Sequence, residues 1–156
     1  MKKQKGFSLI ELLIVVAIIL IIAAIAIPNL LRARISANES SAVGSVRTIN
    51  TSEVSYSTTF NSVGFSSTLT ALGDGGAACP TPPTSTTACL IDSTLASGTK
   101  GGYTFSYAAA TGNVGYTIVA TPTVQNQSGV RGFFSDQSGV IRVNNAGTAT
   151  VSSTPL

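Results

Sequence analysis

The side chains able to do chemistry here are few, and they are spread thinly. Histidine and tryptophan are absent, and the six carboxylates are Glu11, Glu39, Glu53, Asp74, Asp92 and Asp136. Without an imidazole or a free-looking thiol, the usual general bases and nucleophiles are missing. No two carboxylates lie close enough in sequence to form an evident acid–base pair. Gly73-Asp74-Gly75-Gly76 lacks the Lys-Ser/Thr of a phosphate-binding loop and reads as a turn. Cys79 and Cys89 flank a segment containing Pro80, Pro82 and Pro83. Two thiols with no histidine and no acidic cluster do not make a four-ligand metal site. The pair reads either as idle thiols or as a disulfide closing a short surface loop in an oxidising compartment.

One carboxylate is out of place. Glu11 stands inside Phe7–Ile27, a run of 21 residues that is otherwise almost pure hydrocarbon and follows the basic stretch Met1–Gly6. As an α-helix this run spans about 30 Å, enough to cross a bilayer core. Burying such a helix inside a domain this small is implausible. A secretory signal peptide cut near Ala23-Ala24-Ile25-Ala26 is a second reading. The third is a membrane anchor whose lysine end is held in the cytoplasm. An ionisable group at that depth costs on the order of 2–3 kcal/mol, so it calls for a partner. The exposed N–H groups of a helix N-terminus supply part of one. A free amine at Phe7, four residues upstream, would supply more.

Gly6-Phe7-Ser8-Leu9-Ile10-Glu11, after a short basic leader and before a long apolar run, resembles the processing signature of type IV prepilins and related pseudopilins. The resemblance covers roughly the first 35 residues. It implies cleavage after Gly6 by a membrane peptidase and methylation of the new N-terminus at Phe7. It also implies an assembly role for Phe7 and Glu11, a helix break at Pro28, and no cofactor. Physically, Glu11 pairing with the Phe7 amine of a neighbouring subunit would satisfy a stranded charge and fix axial register. Pro28 lacks an N–H and clashes with the carbonyl of Ala24, which predicts a kink or local melting there.

Beyond Pro28 the pattern turns amphipathic. Leu31, Ile35, Ala42, Val46, Ile49 and Tyr56 recur at helical spacing, leaving Arg32, Arg34, Glu39 and Arg47 for other faces. One helix is expected from Phe7 to about Phe60. Residues 61–101 are rich in Gly, Ser, Thr and Pro, with a short helix expected near Asp92–Ala96. Thr81-Pro82-Pro83-Thr84-Ser85-Thr86-Thr87 has the composition of an O-glycosylated tract. From Gly102 the period becomes two. Strands are expected at Tyr103–Tyr107, Val114–Ala120, Val130–Ser135 and Val140–Val143, with a turn at Thr111-Gly112-Asn113. Four antiparallel strands need one apolar face covered, and the amphipathic half-helix is the available cover.

The fold class expected is therefore α+β: a long N-terminal helix, part membrane stem and part amphipathic, packed on a four-stranded antiparallel sheet as a pilin-like roll. The domain map is leader 1–6, transmembrane and assembly helix 7–27, its amphipathic continuation 28–60, and a globular β domain 61–156 with the loop 79–89. The net charge of +3 does not mark a nucleic-acid binder. Three of the nine basic residues are Lys2, Lys3 and Lys5, and without them six basic residues face six acidic ones.

The function expected is a non-enzymatic structural subunit of a type IV pilus-like filament. Its partners would be copies of itself, the prepilin peptidase and methylase, the inner-membrane assembly machinery and the membrane. It would reside in the bacterial inner membrane and then in a cell-surface filament. The alternatives are a type II secretion pseudopilin in a periplasmic pseudopilus, or a membrane-anchored enzyme or binding module. Major pseudopilins carry a calcium site in an acidic C-terminal loop. Asp136 is the only acidic residue after Asp92, so that site is not carried over. The cysteine pair also departs from the common pilin pattern, because it precedes the strands.

Overall fold

The computed structural model describes residues 7–75 and 78–156. The leader, including Gly6, lies outside the described residues, as does Gly76 of the expected turn. The chain divides into two compact units, the first ending at Arg34 and the second running Ile35–Leu156.

Helix α1, Leu9–Thr59, has 51 residues and belongs to both. Its N-terminal stretch is dominated by Leu, Ile, Val and Ala. Ser8 precedes the first helical residue and supplies the carbonyl that accepts from Leu12 N–H at 3.2 Å. Ser52, Ser55, Ser57, Thr58 and Thr59 weaken the last turns, and the helix ends there as expected.

Within the second unit the buried residues of α1 are Glu39, Ala42, Ser45, Val46, Ile49, Ser52, Glu53 and Tyr56. Leu31 is exposed and Ile35 half-buried, so the covering stripe starts later than the sequence pattern implied. Glu39 is not on an outward face. It is buried, and this corrects the reading that left it for a face other than the apolar stripe.

The sheet has six strands, not four, in the order β1-β2-β3-β4-β5-β6 with every pair antiparallel. They are β1 Thr99–Lys100, β2 Tyr103–Ala109, β3 Tyr116–Pro122, β4 Gly132–Asp136, β5 Arg142–Asn144 and β6 Thr154–Pro155. The two added strands are two-residue edges, too short to carry a period. Tyr103↔Pro122 through Ala109↔Tyr116 sets the central register. Val114 was expected in a strand. Instead it ends a 3-10 turn, Thr111–Asn113, in which Gly112 has φ 75° and Asn113 φ 54°. Those left-handed conformations suit Gly and Asn, and they turn the chain between β2 and β3.

Alternation along the strands points Tyr103, Phe105, Tyr116, Ile118, Ala120 and Phe133 into one core with Ala42, Val46, Ile49 and Tyr56 of α1. Two four-residue helices close it. Helix α2, Leu69–Leu72, is capped by the Thr68 hydroxyl, and α3, Ser93–Ala96, by the Asp92 carboxylate. Leu69, Leu72, Ile91 and Leu95 are buried, while Leu90 stays exposed.

Candidate functional site

The start of α1 gathers most of the residues singled out from sequence. Phe7 is 76% exposed, and from Leu9 to Leu30 every leucine, isoleucine and valine is exposed. An apolar surface of that extent normally marks a contact with lipid or with another protein. Among the described residues α1 is the one helix long and apolar enough to cross a membrane.

Glu11 accepts a hydrogen bond from Ser8 N–H at 2.8 Å through Oε2. Glu11 is the third helical residue and Ser8 the residue before the first. This is the glutamate half of a capping box, satisfying one orphan donor at the helix start. A carboxylate offers about four acceptor sites. The local bond therefore leaves capacity for a cation brought by another chain. The structure brings Phe7, Ser8 and Glu11 together at one helix end.

Pro28 lies inside α1, which continues through it. The chain does not melt there. A proline removes one i→i−4 bond, and the intact turns on both sides keep the chain helical. Arg32 and Arg34 are exposed just beyond the apolar run.

Cys79 and Cys89 are bonded, with their Cα atoms 6.1 Å apart. The segment around Cys89 docks on α2 and its C-terminal cap. Ala88, Cys89 and Leu90 N–H donate to the carbonyls of Ala71, Gly73 and Leu72 at 2.9, 3.0 and 2.7 Å. Tyr56 Oη donates to the Ser85 carbonyl at 2.6 Å, which ties the loop to α1.

Two buried carboxylates escaped the sequence reading. Glu39 accepts from Val130 N–H and Arg131 N–H through Oε1, at 2.9 and 3.0 Å, and from Arg131 Nε through Oε2 at 2.8 Å. Burial pushes its pKa up. The N–H bonds from Arg131 and Val130 and the Arg131 guanidinium outweigh that and hold it below the usual range. Glu53 is 0% exposed and accepts from Ser66 N–H at 3.0 Å, Ser66 Oγ at 2.5 Å and Tyr107 Oη at 2.6 Å. Burial, with Glu53 nearby, also pushes the Tyr107 and Tyr116 hydroxyls up. Burial and Glu39 do the same to Tyr103, to about 12.

These carboxylates hold the fold and present no reactive constellation. Asp92 pairs with Lys100 at 2.7 Å. No group of three His, Cys, Asp or Glu residues placed to hold a metal occurs among the described residues.

Comparison with known proteins covers part of the chain. Residues 1–27 match the family model for the prokaryotic N-terminal methylation motif. The type IV wide pilus major component PilA4 of Thermus thermophilus is 67% identical over 39 residues, covering 25% of this chain and 30% of that protein. The type IV major pilin protein PilA of Myxococcus xanthus is 41% identical over 70 residues, covering 40% of this chain and 32% of that protein. The chain thus spans under a third of each relative's length. No solved structure matches. The chain thus carries the prokaryotic N-terminal methylation motif and is similar, over part of its length, to a type IV pilus major component and a type IV major pilin.

Proposed function

We propose that this chain is the structural subunit of a type IV pilus-like filament, stored in the inner membrane and assembled through its N-terminal helix. The observation that carries the reading is the exposed hydrocarbon stretch at the start of α1, whose single carboxylate, Glu11, is the third helical residue and lies four residues after Phe7. An apolar face this long needs either lipid or neighbouring copies, and a filament subunit uses each in turn. That the relatives are named as a pilus major component and a major pilin supports a pilus over a periplasmic pseudopilus.

The domain map follows. Residues 1–6 are a leader removed by prepilin peptidase, and 7–27 are the anchor and later the assembly segment. Residues 28–60 carry the helix onward, and 61–156 complete the exported globular part. Methylation falls on the amine of Phe7. Beyond the peptidase and copies of itself, the subunit engages inner-membrane assembly machinery. Catalysis forms no part of this role.

Intact-mass analysis of protein from its native host tests the proposal. A mature chain beginning at Phe7 and one methyl group heavier than the unmodified sequence is expected. A chain beginning near Ala24–Pro28, or one retaining residues 1–6, would overturn it.

A further inference from the structure

The buried positions Glu39, Ala42, Val46, Ile49, Glu53 and Tyr56 of α1 follow one another at intervals of three, four, three, four and three residues. Four are apolar or aromatic. The first and fifth, two heptads apart, are carboxylates. Glu39 grips the chain entering β4 through Val130 and Arg131. Glu53 grips Ser66 and the Tyr107 hydroxyl of β2.

Apolar packing alone gives such a helix poor instructions. The sheet presents a face of Tyr103, Phe105, Tyr116, Ile118 and Phe133, and any apolar stripe at helical spacing can cover it. Residues 12–27 of the same helix offer such a stripe at nearly every position. A hydrophobic contact is non-directional and does not by itself choose among these stretches.

We infer that Glu39 and Glu53 are the register selectors that reserve the sheet for residues 39–56 of α1, leaving the apolar N-terminal stretch for other partners. A slip by one heptad, about 10 Å along the axis, shows how the choice is enforced. In either direction a glutamate enters the site of Val46, which is 0% exposed. Val46 in turn enters a site lined by N–H or O–H donors. A buried carboxylate without donors and buried donors without an acceptor are both heavily penalised. A two-heptad slip puts one glutamate in the other's place. It also either brings Arg32 to the site of Val46 or runs past the helix end at Thr59. Moving the sheet onto residues 12–27 strands the donors of both clamps. This is the use of buried polar groups best attested elsewhere, fixing register at some expense in stability. The inference concerns the folding of the subunit and does not depend on the filament reading.

The test is a distance measurement between spin labels at Thr51→Cys on α1 and Ser106→Cys on β2, both exposed positions. It uses the full chain in detergent with Cys79–Cys89 left bonded. The parent should give one narrow distribution. Adding Glu39→Leu and Glu53→Met should produce a second population displaced by about a heptad's rise. A single distribution matching the parent would overturn the inference. Should the double variant fail to fold, Glu39→Gln with Glu53→Gln is read in the same assay. Each amide keeps an acceptor oxygen while losing the charge that bars it from the Val46 site. A minor second population is expected there, and one parental distance alone would again overturn the inference.

Discussion

Replacing Glu53 separates what its charge contributes from what its hydrogen bonds contribute. The carboxylate is fully buried and faces three donors, with no ion pair among the described residues. Hydrogen bonds to a charged group contribute about 1.5–3 kcal/mol each. Burying the charge costs several kcal/mol, so the charge itself comes near to breaking even. In Glu53→Ala two of the donors find new acceptors. Ser66 Oγ turns to the Thr68 carbonyl, 3.2 Å away, and Tyr107 Oη to the Ser66 carbonyl, 2.8 Å away. Ser66 N–H is left without an acceptor, costing about 1–3 kcal/mol. The one lost methylene, Cγ, costs about 0.8 kcal/mol. The expected loss is about 3 kcal/mol, a large share of an ordinary domain's stability.

Glu53→Gln should cost under about 1 kcal/mol. Its oxygen can face Ser66 N–H while its NH2 donates to the two hydroxyls in their turned orientations. Denaturant unfolding of the full chain in detergent, followed by circular dichroism, reads both variants against a common slope. A Gln variant as unstable as Ala would refute the reasoning, since the negative charge itself would then be needed. An Ala variant within about 1 kcal/mol of the parent would show that the network holds little.

Two further outcomes follow from the same network of contacts. The lowered pKa of Glu39 means the folded state gives up its charge less readily than the unfolded chain. Its contribution is therefore complete above the ordinary value of 4.5 and is lost as pH falls through the lowered one. Unfolding midpoints should hold down to about that ordinary value and drop below it, and Glu39→Gln should flatten the drop. Asp92, lowered chiefly by its bond from Lys100, acts with the same sign, so Asp92→Asn is the control. Opening the disulfide by Cys79→Ser and Cys89→Ser should lower stability by about 2–3 kcal/mol for a loop of this length. Hydrogen exchange should rise in residues 61–101 before the strands, whose ladders do not pass through the bond. Equal loosening of β2 to β4 would contradict the loop-staple role, as would peptide mapping of the exported protein that found both thiols free.

What the sequence made legible depended on period and length. The apolar run from Phe7, the out-of-place Glu11 and the alternation at Tyr103, Phe105 and Tyr107 repeat a signal often enough to be read. Edge strands β1 and β6, and helix α2, are too short to repeat anything. Their existence depends on the partners they meet in the fold, such as Val143 across from Thr154 and Ala88 bonded to Ala71. Glu39 and Glu53 were missed for a different reason. The apolar stripe has two gaps of seven residues, from Ile35 to Ala42 and from Ile49 to Tyr56. Each gap is filled by a glutamate at the intermediate helical position. A charged residue in such a gap is ordinarily solvated, and only the donors at Val130, Arg131, Ser66 and Tyr107 make it a buried one. At Pro28 the missing N–H does not interrupt the helix, which the turns on both sides continue.

The central claim, that the chain polymerises through the start of α1, rests most directly on Glu11. The structure already gives this carboxylate a local task, accepting from Ser8 N–H. Loss of that task alone should cost only about 1 kcal/mol of helix stability and should ease membrane insertion. Filament yield from Glu11→Ala, normalised to processed subunit in the membrane, separates the two roles, with Glu11→Asp as an intermediate that keeps the charge on a shorter arm. Assembly through Glu11 predicts normal processing and insertion with filaments strongly depleted in the Ala variant and partly restored in the Asp variant. Filaments at the parental level from Glu11→Ala would contradict it and leave the carboxylate as a helix cap.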